Sequence, residues 1–275
     1  MAQRRRGRPS LYRESTQGRD ADLEEDIPFT QTQTLSQAQR NLEKHSTEQV
    51  NLKVGELVQY LLIRDQKKLP IKRADLIKHV VKEYKDVFLE IFIRAKKALR
   101  DVFGFQLEEI DTKNHIYILV NTLDRLEGDG MKVDDSTAKL GLLTVILSLI
   151  FMKGNSAKEA GIWETLRRLR VDPGERHKDF GDVRKLVTDT FVKQKYLEYI
   201  KIPHTDPPEY EFRWGPRAFK ETSKLKILDF VSKIQQKDPK CWLTQYEDAQ
   251  AVPRPQLPTA SQSTTRRSAV SLPPQ

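Results

Sequence analysis

Cysteine is almost missing from this 275-residue chain, Cys241 being the only one. An intrachain disulfide is therefore excluded, and five scattered histidines supply no Cys-x-x-Cys or His/Cys spacing for a structural zinc site. Such cysteine usage suits a reducing, intracellular setting. Long hydrophobic runs are missing as well. The most apolar window, Leu140 to Met152, is far shorter than the roughly 17 to 25 residues that cross a hydrocarbon core, so no membrane span is expected. The basic first residues lead into no apolar stretch, so no secretory signal is expected either. Phosphate-loop, nucleophile-elbow and paired thiol–histidine signatures are absent. His79, His115, His177 and His204 fall into no Asp/His/nucleophile grouping. These absences describe a protein that does no chemistry of its own, needs no metal or other cofactor and takes no small-molecule substrate.

Positive charge is what the chain has in excess. Lysine and arginine total 48 against 39 acidic residues, a formal net charge of +9. That balance favours a polyanionic partner, foremost nucleic acid, although many merely soluble proteins share it.

Composition divides the chain. Residues 1–48 are rich in Gln, Thr, Ser, Arg and acids with no sustained apolar period, which predicts a disordered arm. Within it, Arg6-Gly7-Arg8-Pro9 resembles the core of an AT-hook, whose glycine lets the backbone lie in a narrow minor groove. The same four residues also read as a nuclear-localisation or generic basic cluster. A Pro/Ser/Thr/Gln-rich tail is expected over residues 241–275.

Between the tails the apolar period is helical. Val54, Leu57, Val58, Leu61 and Leu62 form one stripe, and after the break at Pro70, Leu76, Ile77, Val80 and Val81 form a second. Phe92, Ala95, Leu99 and Val102 form a third, ending at Gly104. Phe105 and Leu107, a turn at Asp111 to Asn114, and Ile116 to Val120 then spell a hairpin. Three helices and a hairpin make a winged helix, unit A, over residues 49–124, followed by a polar linker over 125–138.

The same order recurs over 139–240, unit B. Leu140 to Met152 is expected to be a helix buried on all sides, stopped by a left-handed Gly154-Asn155. Ser156 with Glu159 spells a capping box for a second helix whose Ile162, Trp163, Leu166 and Leu169 pack inward. A third helix within Asp182 to Lys195, a hairpin of Tyr196 to Ile202 and Tyr210 to Trp214, and a final amphipathic helix carrying Leu225, Leu228 and Val231 complete it. The fold class is therefore mainly α with small β-hairpins (α+β), a tandem winged helix between disordered tails.

Several blocks of this pattern also resemble a known family. Leu147 to Asn155 with Ile162 to Leu169, Pro70 to Asp75, Ile116 to Leu123, and Trp214 to Ala218 with Glu221 to Lys224 are similar, in order, to the MAGE (melanoma antigen) homology domain. The likeness spans residues 50–237. Lys67 to Lys72, Tyr196 to Tyr199 and Ile202 to Pro207 look like the branch of the family found in the SMC five–six complex. The resemblance implies a nuclear, chromatin-associated subunit of that chromosome-maintenance and DNA-repair complex. Its implied partners are a RING-type ubiquitin ligase subunit (non-SMC element one), whose activity it supports, a kleisin subunit (non-SMC element four), the SMC five–six heterodimer and double-stranded DNA.

The resemblance also assigns residues. Leu61 and Leu62 stand where the family's paired leucines contact the RING partner. Neighbouring helical residues point about 100° apart, so both cannot easily face one core; the competing reading is a wide buried stripe. For a cleft taking the kleisin helix, Leu142, Leu143, Leu149 and Phe151 are candidates, with Leu225 and Leu228 as wall, most of them doubling as core. For DNA the cations around unit B's helices are Arg167, Arg168, Lys185, Lys193, Lys195 and Lys201, with Arg170 and Arg184 beside them. They would neutralise phosphates without reading sequence. Gln194 could reach a base edge or simply face solvent. Arg94, Lys96, Lys97 and Arg100 of unit A offer a rival basic face, or a solvated one. The alternative function is a ligase adaptor that recruits a protein substrate and leaves DNA alone.

Overall fold

The computed structural model describes residues 40–123 and 135–251. The Arg6-Gly7-Arg8-Pro9 stretch, most of the expected arm and most of the expected tail lie outside them.

Helix α1 (Thr47–Gln66) opens with a reciprocal cap: the Ser46 hydroxyl accepts from the Gln49 amide at 3.2 Å, and the Gln49 side chain accepts from the Ser46 amide. The helix thus starts inside the stretch expected as arm. It buries Val50, Leu57, Val58 and Leu61. Strand β1 (Ile71–Lys72) leads into α2 (Arg73–Leu76), which runs on through a π-helical turn over Ile77–Val81. Helix α3 (Phe88–Phe103) buries Phe88, Ile91, Ala95 and Leu99 and stops at left-handed Gly104. Val102, expected on that apolar stripe, points out instead.

Strands β2 (Phe105–Asp111) and β3 (Ile116–Asn121) form the hairpin. Its turn is tied by the Asp111 carboxylate, which accepts from the Asn114 side chain at 2.8 Å and from the Asn114 and Lys113 amides. Those bonds hold the carboxyl below its usual range. The strand order is β1-β3-β2, so the last strand of the wing is clamped by the strand that precedes α2.

The second half repeats this plan. Helix α4 (Asp135–Met152) begins within the stretch expected as linker and buries Leu142, Leu143, Ile146, Leu147, Ile150 and Phe151. It is apolar all round but not enclosed all round, since Leu140 is exposed. Gly154 and Asn155 take left-handed conformations and end it, as expected.

The expected Ser156 capping box does not form. The Ser156 hydroxyl donates to Glu211 at 2.6 Å, holding that carboxyl below its usual range. Ala157–Lys158 become strand β4, and α5 (Glu159–Arg168) starts without a side-chain cap. The Glu159 carboxylate is occupied by the Trp163 indole N–H at 2.7 Å and the Tyr199 hydroxyl at 2.6 Å. Ile162, Trp163 and Leu166 pack inward, while Leu169 lies past the helix end and is exposed.

A short β5 (Arg176–His177) and β6 (Gly181–Asp182) pair precedes the third helix of this half. That helix is α6 (Val183–Lys185), a π-helical turn over Leu186–Thr190, and α7 (Phe191–Lys193). Strands β7 (Leu197–Lys201) and β8 (Tyr210–Trp214) form the second wing, and the order β4-β8-β7 reproduces that of the first sheet. The fold is mainly α with small antiparallel hairpins: two winged helices in tandem.

Three helices follow the second wing: α8 (Pro216–Glu221), α9 (Lys224–Gln235) and α10 (Leu243–Gln250). Helix α10 lies within the segment expected as tail, and Trp242, Tyr246 and Ala249 pack against the core of the second half.

Candidate partner and nucleic-acid interfaces

The two halves meet at a side chain with no exposed surface. Arg217, in the first turn of α8, is wholly buried. Pro216 presets the start of the helix. Gly215 lets the chain pass flat against Lys195 and Tyr196, where an added Cβ would sit 2.3 Å from the Lys195 carbonyl oxygen. From there Arg217 donates through Nε to the Gln194 carbonyl at 2.7 Å, through Nη2 to the Lys68 carbonyl at 3.0 Å and through Nη1 to Glu221 at 2.9 Å. Asp65 adds opposite charge at 3.8 Å, and the guanidinium lies over the Tyr196 ring.

The Tyr196 hydroxyl donates to Glu221, and burial together with that carboxylate pushes its phenol well above the ordinary tyrosine range. Gln194 is half-buried, and its side-chain amide donates to the Lys67 carbonyl at 3.0 Å. Lys220 and Glu108 add an ion pair between the second half and the first wing.

Beside this joint a cleft of about 750 Å³ is lined by Leu62, Phe105, Leu140, Phe180, Leu186 and Phe191, with Lys139 and Lys185 supplying cations. A second groove, of about 710 Å³, runs between α1 and α3 and is lined by Val54, Val58, Leu62, Ile63, Ala98 and Phe103. Leu62 lines both. The leucine pair therefore divides, with Leu61 wholly buried and Leu62 half-buried at the meeting of the two hollows. Leu61 is corrected from contact residue to core residue.

The kleisin candidates divide as well. Leu142, Leu143, Phe151 and Leu228 are core side chains of the second half and offer a partner no surface: the first three lie on α4, which packs on its own wing and on α9, and Leu228 lies on α9. Leu149 is partly buried and Leu225 is 41% exposed. The hollow is lined instead by Leu140 from the exposed end of α4 and by Phe180 and Leu186 from around the third helix. Phe180 carried no sequence signal, standing alone between polar residues; stacking on His177 fixes it.

The expected DNA-facing cations are exposed except Lys195, which is half-buried. Two are already engaged: Arg168 with Glu164 at 2.7 Å and Lys193 with Asp189 at 2.8 Å. Arg167, Lys185, Lys195 and Lys201 have no ion pair among the described residues. Arg184 lies over the Trp163 indole and pairs with Glu159. Lys185 is exposed and also lines the cleft. On α3, Arg94 pairs with Glu90 and Arg100 with Asp101, leaving Lys96 and Lys97 exposed. No group of three or more metal-ligating side chains comes together among the described residues.

The profile of the MAGE homology domain matches residues 57–225. The chain is 51% identical to the human "Non-structural maintenance of chromosomes element 3 homolog" over 85% of its own length and 79% of that protein's. It is 53% identical to the mouse protein of that name over 74% of its length and 73% of the other's. Human melanoma-associated antigen D2 is also 53% identical, over 72% of this chain and 32% of that longer protein. A solved chain in a structure titled "Nse1-Nse3-Nse4 complex" superposes with a TM-score of 0.74 at 74% identity, covering 75% of this chain and all of that one.

Proposed function

The chain belongs to the MAGE homology domain family, and from that premise we propose that it is a non-catalytic subunit of an SMC five–six chromosome-maintenance and DNA-repair complex, nuclear and chromatin-bound. It acts by binding. The groove between α1 and α3, lined in part by Leu62, docks the RING-type ligase subunit; the cleft beside Arg217 takes a kleisin helix; and the cations of the second half hold duplex DNA. The names of the human and mouse relatives, and the three-component complex in which a similar chain was solved, support the two protein partners.

The observation that carries the reading is the position of Leu62, which lines two apolar hollows at once. Hollows lined by leucine, isoleucine and phenylalanine suit the apolar face of a helix or a RING-domain surface, whose anchors fill them in exchange for water. The four cations without ion pairs suit phosphates, which need charge and little geometry. By this division the subunit positions a ligase on chromatin and leaves the chemistry to it.

The test is fluorescence anisotropy of a labelled duplex titrated with the full chain at several salt concentrations, beside the Lys185→Glu/Lys193→Glu/Lys195→Glu variant. Log affinity is expected to fall linearly with log salt, and the variant to bind more weakly with a shallower slope. Absence of binding at low salt would favour the ligase adaptor that recruits a protein substrate without touching DNA.

A further inference from the structure

Helix α10 lies beyond Leu225, where the match to the family profile ends. None of its residues is buried, and at eight residues it is too short to hold a helix by itself in water. It is nevertheless seated in an ordered way. Trp242, Tyr246 and Ala249, spaced four and three residues apart along one face, pack on the core of the second half. Leu243, Glu247 and Gln250 face solvent.

Polar bonds set its register. The Asp248 carboxylate accepts from the Asn155 side chain at 2.7 Å and from Lys224 Nζ at 2.9 Å, and the Gln245 side chain donates to the Met152 carbonyl at 3.3 Å. Beneath lie the end of α4, where the Lys224 ammonium sits over the Phe151 ring, and the start of α9. The tether is an exposed turn at Gln236, which takes a left-handed conformation.

Anchors at i, i+4 and i+7 on one face, with a single charged clasp, are how an amphipathic helix occupies a receptor groove. We propose that α10 is a ligand held in cis in a helix-binding groove between the end of α4 and the start of α9, and that this groove accepts a partner's amphipathic helix of the same chemistry. Such a helix carries two aromatic anchors four residues apart, a small residue three further on, and a carboxylate beside that small residue for Lys224 and Asn155. This surface is separate from the two hollows that meet at Leu62, and the proposal does not rest on duplex binding. The tether gives α10 an effective concentration of about a millimolar, so it excludes weak competitors and yields to a longer helix that extends the contact.

The experiment uses the full chain and, as probe, a fluorescein-labelled peptide of residues 238–251. Wild type and the Trp242→Ala/Tyr246→Ala variant, which empties the groove, are compared by anisotropy, with a probe carrying Asp248→Lys as control. The variant is expected to bind the probe at least tenfold more tightly than wild type and to bind the Asp248→Lys probe at least tenfold more weakly than the unchanged one. Full-chain Asp248→Lys, which removes only the clasp, should bind the probe with intermediate affinity. The proposal is overturned if the emptied variant, folded by circular dichroism, binds no more tightly than wild type. It is equally overturned if both full-chain variants fail to fold, because α10 would then be a fixed part of the core.

Discussion

Arg217 Nη2 donates to the Lys68 carbonyl at 3.0 Å, joining two residues that lie 149 positions apart in the chain. The bond spans the two winged helices, and its donor is wholly buried. Removing the buried guanidinium takes a donor from the Gln194 and Lys68 carbonyls and the opposing charge from two carboxylates, of which, among the described residues, Glu221 keeps only the Tyr196 hydroxyl and Asp65 only Lys68. Arg217→Ala is therefore expected to cost about 3 to 5 kcal/mol. Arg217→Lys should not restore it, since an ammonium cannot span acceptors placed for a planar fork. Denaturant unfolding of both variants checks this, and a wild-type midpoint for the lysine variant would refute it.

The divided leucine pair makes a second contrast. Leu61→Ala empties a buried site and should cost about 2 to 5 kcal/mol. Leu62→Ala, at a half-buried site, should cost about 1 kcal/mol or less while weakening the RING-type partner at least tenfold. Calorimetric titration with that partner, alongside thermal melts, separates the two effects. Equal loss of stability in both variants would mean that Leu62 is core after all.

Two cations proposed for DNA are held by neighbouring carboxylates. Asp189→Asn and Glu164→Gln should release Lys193 and Arg168 and also remove two negative charges from that surface. Duplex affinity is expected to rise about twofold for each, matching the few tenths of a kcal/mol typical of exposed i,i+4 pairs. The gain should vanish at high salt. Anisotropy at two ionic strengths measures it, and weaker binding by either variant would show that these ion pairs help present the cations.

Alkaline pH should loosen the joint. Burial is the first cause that raises the Tyr196, Tyr199 and Tyr117 hydroxyls, with Glu221, Glu159 and Glu109 adding to it; Tyr117 is pushed up to about 12. The folded chain keeps these protons at a pH where the unfolded chain, titrating near 10, has released them. Unfolding then sheds protons, so the stability from these groups is intact below about pH 10 and lost as pH rises above it. Unfolding midpoints at pH 9, 10 and 11 should decline more steeply for wild type than for Tyr196→Phe. Parallel curves would remove Tyr196 from the account.

What the sequence disclosed was local. The stripe of Leu57, Val58 and Leu61, the left-handed stops at Gly104 and Asn155, and both wings follow from period and turn chemistry within a few residues. What it concealed was non-local. Ser156 and Glu159 have the spacing of a cap, yet distant Glu211 and Tyr199 compete for their hydrogen bonds and prevail. Strands β1 and β4, two residues each, exist only because a later strand pairs with them. Arg217 reads as one surface cation among 48 basic residues until Asp65, Lys68 and Gln194 are brought round it. Helix α10 was hidden by its sparse apolar pattern beside a low-complexity tail.

The β1-β3-β2 and β4-β8-β7 orders also bear on how the protein is made. In each half the strand that emerges first from a ribosome has no partner until the end of the wing follows it. The first sheet can close once Asn121 is out, before any strand of the second sheet has emerged. Each half thus completes itself on its own last strand, and the halves do so in turn. A long basic chain with two similar winged units could otherwise pair β1 with β8 and knit them together wrongly; vectorial synthesis lets the first unit use up its own edge before the competing strand exists.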